Sequence, residues 1–155
     1  FAIFGIAGTA CNLAVQKYLA SKQVPQLFCY SGSPLLVNPE VSKWSVGWLP
    51  ATELEGEIYG QYVAANIKDP KVGILYQNDD YGRDMMNGFR RGLGSLADKA
   101  IVRAISYEVT DPTVEPQVLD LLSSGATTFL GCVISKAASQ AIRKTAEIGW
   151  PGERI

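Results

Sequence analysis

Two short loops carry the residue types best suited to holding a small solute. Each combines glycine or alanine with hydroxyl side chains; they are Gly8, Thr9 and Ala10, and then Ser31, Gly32 and Ser33. Glycine and alanine allow a ligand to approach the backbone closely, and a hydroxyl both donates and accepts hydrogen bonds. Two such loops facing each other would hold a carboxylate or an ammonium group without a charged side chain. Small polar residues also form ordinary turns, so the residue types alone leave both interpretations open.

Three further candidates follow other apolar runs. Tyr81 has an apolar ring and a hydroxyl, which suits packing on a small ligand; a structural tyrosine at a helix start is the alternative. Val133 and Ile134 would supply backbone groups or an apolar wall, or would merely end a buried strand. Asp79 and Asp80 are adjacent in a loop, which is typical of solvated or helix-capping carboxylates rather than of an acid pair.

The usual catalytic and metal-binding signatures are missing from the sequence. It contains no histidine, which removes Ser-His-Asp and Cys-His catalysis and the commonest zinc ligand. Cys11, Cys29 and Cys132 form no CxxC pair, and no GxGxxG, GxxxxGKS/T or GxSxG motif occurs. A net charge of −1 without a basic patch argues against nucleic acid as a partner. The sequence therefore favours binding over catalysis, without a cofactor.

An alternation of apolar runs and helical periods predicts the architecture. Strands are expected near residues 1–5, 26–29, 72–76, 101–107 and 127–132, with an extended segment at 44–49. Strands separated by helices favour sheets covered on both faces, that is, a three-layer α/β/α fold with doubly wound, mainly parallel sheets. Every candidate site residue then lies at the carboxyl end of a strand, where ligands bind in open α/β sheets.

One helix is predicted directly after the extended segment. Thr52 is its candidate N-cap, because Glu55 follows three residues later as in a capping box. Apolar residues then recur at helical spacing, which predicts an inner face made of Leu54, Ile58, Tyr62 and Ala65.

Four segments that together cover nearly the whole chain carry a family resemblance. They read FGIAGTACNLAVQKYL, VPQLFCYSGSPLLVNPE, VGILYQNDDYGRDMMNGFRRGL and TTFLGCVISKAASQAIRKTAEIGW. The most specific pieces are NPE at residues 38–40 and the pair Tyr81-Gly82. In this order the segments resemble the type I periplasmic solute-binding proteins of ABC transporters, in the branched-chain amino-acid group.

The resemblance implies a fold of two lobes joined by a hinge, with the ligand in the cleft between them. It implies contacts from the amino-terminal lobe through Thr9, Ala10 and the loop 31–33, and from the other lobe through Tyr81. Val133 and Ile134 fall near a ligand-facing aromatic position of the family, and neither is aromatic. The ligand we expect is a branched-chain or other amino acid, or an aromatic carboxylate.

The resemblance also implies how the chain is divided. Residues 1–47 correspond to part of the amino-terminal lobe and residues 48–155 to an incomplete carboxy-terminal lobe, so we expect a piece of a longer protein. The implied function is the substrate-binding component of an ABC importer. It would be periplasmic, or extracytoplasmic and lipid-anchored, with membrane permease subunits as partners and no enzymatic activity. A ligand-sensing domain of a receptor or regulator is the alternative, and an enzyme of the doubly wound class is the third.

Overall fold

The computed structural model describes all 155 residues as alternating strands and helices. The strands are β1 (Ile3–Phe4), β2 (Gln26–Cys29), β3 (Ser45–Gly47), β4 (Val72–Gln77), β5 (Ile101–Tyr107) and β6 (Thr128–Cys132). The α-helices are α1 (Thr9–Ser21), α2 (Pro34–Val37), α3 (Thr52–Asn66), α4 (Asp80–Leu93), α5 (Ala97–Ala100), α6 (Glu115–Ser123) and α7 (Ser135–Glu147), and a 3-10 turn spans Gly94–Leu96. The predicted strands are confirmed, although β1 is shorter than expected, and the extended segment contains β3.

The strands form two separate three-stranded sheets, in the orders β1-β2-β3 and β5-β4-β6. Every pairing in both sheets is parallel. In the second sheet, Val72 pairs with Ile101 on one side and with Thr128 on the other. Parallel neighbours need long crossover connections, and the intervening helices supply them. The predicted α/β fold with parallel sheets and flanking helices is therefore confirmed.

The central strand β4 is buried on both faces because its side chains alternate between two apolar cores. Val72 and Ile74 lie in one core with Phe89 of α4. Leu75 points the other way, into a second core that contains Val118 of α6. Helices thus cover both sides of the second sheet, which gives the expected three layers.

The packing of α3 against α4 differs from the prediction. The apolar residues expected to face inward are exposed to solvent; they are Leu54, Ile58, Tyr62 and Ala65. Instead, α3 turns Gly56 and Gly60 toward α4. In return, α4 presents Gly88 and Gly92 to α3. A Cβ atom on any of these four glycines would overlap backbone atoms of the other helix. The predicted face was wrong because the two helices pack through glycines. Glycine has no apolar side chain, so a search for apolar residues at helical spacing does not find this face.

The start of α3 also differs from the prediction. Its N-cap is Ala51, and Thr52 is the first helical residue and makes no capping hydrogen bond through its side chain. Thr52 is buried, and its N–H donates to the carbonyl oxygen of Gly32 at 2.9 Å. Thr52 therefore contacts the loop of residues 31–33 instead of capping α3 as predicted.

Candidate functional site

A cavity of about 440 Å³ lies where the carboxyl ends of strands from both sheets meet. Seven of the nine residues singled out in the sequence line it: Gly8, Thr9, Ala10, Ser31, Gly32, Tyr81 and Ile134. The other two, Ser33 and Val133, do not line it. The cavity thus brings residues from four separate parts of the chain together around one space.

The first side of the cavity is the amino end of α1. Gly8 has φ 93°, a left-handed conformation that suits glycine, and α1 begins at the next residue. The buried Asn12 side chain fixes this turn, because its amide donates to the carbonyl oxygens of Ile6 at 2.8 Å and Gly8 at 2.7 Å. The first N–H groups of a helix have no partner within it. They give this side of the cavity free donors and a partial positive charge that favours a carboxylate.

The hydroxyls of Thr9 and Ser31 join the two loops. Thr9 Oγ1 and Ser31 Oγ lie 2.8 Å apart, and either one is able to donate to the other. The backbone N–H of Ser33 donates to Ser31 Oγ at 3.2 Å. Two hydroxyls that share one hydrogen bond leave one O–H without an acceptor in the protein. That remaining donor strengthens the preference of this side for a ligand oxygen.

Tyr81 forms part of the opposite side, in the first turn of α4. Asp79 caps this helix by accepting from Gly82 N at 3.1 Å, and its other oxygen accepts from the Gln77 amide at 2.6 Å. The Tyr81 ring packs partly against the core shared by β4 and α4. The hydroxyls of Tyr59 and Tyr107 both have protein acceptors, whereas that of Tyr81 has none. Burial raises the pKa of Tyr81 above its usual range, so its hydroxyl stays protonated and able to donate.

A second cavity of similar volume, about 450 Å³, lies beside the first sheet. It is lined mainly by aromatic rings, with Phe28 stacked edge to face on Phe4 at 5.3 Å and on Trp48 at 5.6 Å between ring centroids. It holds none of the paired hydroxyls or free helix N–H groups that mark the first cavity. The cavity that contains Thr9 and Tyr81 therefore offers a polar solute more hydrogen-bonding groups than the second cavity does.

The model of a protein family described as periplasmic binding protein matches this sequence along residues 1–155. The chain belongs to the periplasmic binding protein family. The predicted resemblance is thereby confirmed, and two of the solved structures with this fold are described as ABC-transporter solute-binding proteins. No curated protein matches the chain.

Solved structures of such binding proteins share the fold. A possible leucine/isoleucine/valine-binding protein from Rhodopirellula baltica SH 1 has a TM-score of 0.81 at 19% identity, over 99% of this chain and 42% of that one. An ABC-transporter solute-binding protein from Rhodopseudomonas palustris BisB5, in complex with 3,4-dihydroxybenzoic acid, has a TM-score of 0.82 at 19% identity. That match covers 99% of this chain and 42% of that one. Another solute-binding protein from R. palustris, in complex with benzoate, has a TM-score of 0.86 at 13% identity. That match also covers 99% of this chain and 42% of the other. This chain spans about two fifths of their length.

One charged residue of the cavity that contains Thr9 and Tyr81 was not singled out as a site residue in the sequence. Glu55 of α3 lines it, and one of its carboxylate oxygens accepts from the Tyr59 hydroxyl at 2.7 Å. That hydrogen bond is the main cause that raises the pKa of Tyr59 to about 12. The only other charged lining residue is Asp79, whose two oxygens each accept a hydrogen bond, one from the Gln77 amide and one from Gly82 N. No lysine or arginine lines the cavity. Glu55 therefore leaves one carboxylate oxygen free for a cationic group.

Apolar residues complete the lining. Leu49 and Pro50 follow β3, and Val109 follows β5. Ile134 is 41% exposed and contributes its side chain, while its N–H donates to the Tyr107 hydroxyl at 3.3 Å. Ligands in such folds bind at the carboxyl ends of parallel strands, and this rule would have pointed to Leu49, Pro50 and Val109. Glu55 lies inside a helix, and no such rule points to it.

The two predicted residues outside the lining have structural surroundings. Val133 packs against the core of α6 and α7. Ser33 is only 1% exposed and precedes α2 as its N-cap residue, without a capping hydrogen bond from its side chain. No helix is long and apolar enough to cross a bilayer, and no cluster of three or more His, Cys, Asp or Glu side chains is arranged to hold a metal ion.

Proposed function

We propose that this chain forms the solute-binding cleft of the substrate-binding component of an ABC importer, acting in the periplasm or otherwise outside the cytoplasm. The observation that carries the proposal is the cavity itself. It joins the Thr9 and Ser31 hydroxyls and the amino end of α1, beside the first sheet, to Tyr81, beside the second. The membrane permease subunits of such an importer would be its protein partners.

The two sheets support a division into two lobes. The first sheet ends with β3 at Gly47, and the second begins with β4 at Val72. We assign residues 1–47 to one lobe and residues 48–155 to the other, with the chain crossing between them around Trp48. A solute held by both lobes would shift an existing equilibrium between open and closed forms toward the closed one.

The charges of the cavity favour one class of ligand among those considered. The α1 end and the free hydroxyl suit a carboxylate, whereas the unpaired oxygen of Glu55 suits a donor or cation. An aromatic carboxylate such as benzoate satisfies the first side and leaves Glu55 facing an anion. An amino acid carries both groups. We therefore assign the site to an amino-acid zwitterion with an apolar side chain, which would lie against Leu49, Pro50 and Ile134.

Calorimetric titration tests this assignment. L-leucine should bind at least about tenfold more tightly than benzoate, which corresponds to about 1.4 kcal/mol, the scale of one hydrogen bond to a charged group. Glu55→Gln should weaken L-leucine about tenfold and leave benzoate unchanged or tighter. Glu57→Gln is the matched control, because Glu57 lies on the same helix but pairs with Arg91 instead of lining the cavity. Equal or tighter binding of benzoate, with no effect of Glu55→Gln, would overturn the assignment.

A further inference from the structure

Two buried polar atoms near the cavity lack hydrogen-bond partners. They are Ser33 Oγ, on the loop that also carries Ser31, and Asp84 Oδ2, on the helix α4 that begins beside Tyr81. The Ser33 side chain lies next to the Asp84 carboxyl. A buried polar group without a partner costs free energy, and a hydroxyl and a carboxyl are complementary as donor and acceptor. Each is therefore the natural partner of the other.

This pair lies between the loop that follows β2 of the first sheet and the helix that follows β4 of the second. On the other side of the same loop, Thr52 N donates to the Gly32 carbonyl oxygen at 2.9 Å, and a Cβ on Gly32 would overlap the Pro50 carbonyl oxygen. The loop is thus held by the start of α3 on one side and adjoins α4 on the other. Ser33 N also donates to Ser31 Oγ at 3.2 Å, which connects the pair to a hydroxyl of the cavity.

We propose that Asp84 is a positioning residue of the binding site, and that its contact with Ser33 ties the loop of residues 31–33 to α4 in the closed, ligand-bound form. The contact would fix the separation between Ser31 and Tyr81, although Asp84 itself does not line the cavity. This inference rests on the proposed function, because it assumes that closure around a solute is what the site does.

The surroundings of Asp84 make the contact sensitive to protonation. Burial is the largest cause that raises the pKa of the Asp84 carboxyl, and the charges of Glu53 on α3 and Asp80 on α4 raise it further. The Ser33 side chain and the Arg83 charge oppose the rise. The neighbouring first two turns of α1 carry no charged side chain. Because an acid with a raised pKa resists ionisation in the closed form, closure should weaken as pH rises from about 4 through the raised pKa.

Variants at both positions test the tie, with L-leucine and benzoate as probes in calorimetry. Asp84→Ala and Ser33→Ala should each weaken the tighter probe about fivefold, and the double variant should be no worse than either alone. Asp84→Asn keeps an acceptor for Ser33 without the charge, so it should bind as tightly as the parent or tighter. As pH rises from about 4 through the raised pKa of Asp84, the affinity of the parent should fall relative to that of Asp84→Asn. Losses that multiply to about 25-fold in the double variant, or a parent affinity as flat with pH as that of Asp84→Asn, would refute the tie.

Thermal unfolding tests the burial of the Asp84 carboxyl without a ligand. Asp84→Asn should raise the Tm by about 3 °C at pH 8, and this gain should shrink as pH falls toward 4. Asp98→Asn is the control, since Asp98 is exposed and pairs with Arg90 on the surface; its Tm should move by less than about 1 °C. A Tm difference for Asp84→Asn that is constant with pH contradicts the inference. Failure of the parent to bind either probe would count against the proposed function instead, and the Tm series would still test whether the Asp84 carboxyl is held in the buried setting that the tie requires.

Discussion

Gly88→Ala should lower the free energy of unfolding by about 3 kcal/mol, even though alanine is the better helix former by about 1 kcal/mol. The reason is the contact between α3 and α4. A Cβ at position 88 would overlap the carbonyl oxygen of Glu53 and approach its Cα at 2.9 Å, and backbone atoms have little freedom to yield. The helices would have to separate, which would loosen the core around Phe89. Urea unfolding followed by circular dichroism measures the change.

The control for this substitution lies one position away. Asn87→Ala changes an exposed residue of α4 and should alter the stability by no more than about 0.5 kcal/mol. Gly60→Ala tests the same contact from α3, where the new methyl group would overlap the Phe89 carbonyl oxygen. Stabilisation by either glycine replacement, as expected from helix propensity alone, would show that α3 and α4 do not pack this closely.

Tyr81→Ala should weaken solute binding by about 1–3 kcal/mol, through the loss of an apolar contact and of a free hydroxyl donor. Because part of the ring also packs against the core of β4 and α4, the variant should also unfold more easily, an effect that the sequence did not predict. Tyr81→Phe separates the two roles. It should keep the stability and lose about 1 kcal/mol of binding, as measured by calorimetry with L-leucine.

An exposed tyrosine provides the comparison. Tyr18 on α1 is 65% exposed and does not line the cavity, so Tyr18→Ala should leave affinity unchanged. If Tyr81→Ala bound as tightly as the parent while melting many degrees lower, Tyr81 would be structural only, which is the alternative that its residue type left open.

The strands were predictable because their signal is local. Val72 and Ile74 face one core and Leu75 faces the other, within a short apolar run. A run of that length between two helical segments is typical of a buried strand. The position of the candidate site followed from the parallel strands, since their carboxyl ends converge on one edge. The strand pattern put Thr9, Ser31 and Tyr81 each at a strand end, and the family resemblance implied that they face one cleft; all three line the same cavity.

Other features depended on contacts between distant segments. The true packing face of α3 was hidden because Gly56 and Gly60 contribute no hydrophobicity, although their four-residue spacing, repeated by Gly88 and Gly92, is a visible signal. Glu55 reaches the cavity only because α3 starts beside the loop of residues 31–33. That contact also displaced Thr52 from its predicted capping role.

The most direct test of a solute site at this cavity uses its own thiol. Cys11 is exposed and lines the cavity, whereas Cys29 and Cys132 are each only 1% exposed. Alkylation of the native protein, followed by mass spectrometry, should therefore modify Cys11 alone. Saturating L-leucine should slow that modification by about tenfold or more, because the bound ligand and the closed cleft exclude the reagent. Calorimetric binding of L-leucine with an unchanged rate of Cys11 alkylation would place the solute elsewhere and contradict the account.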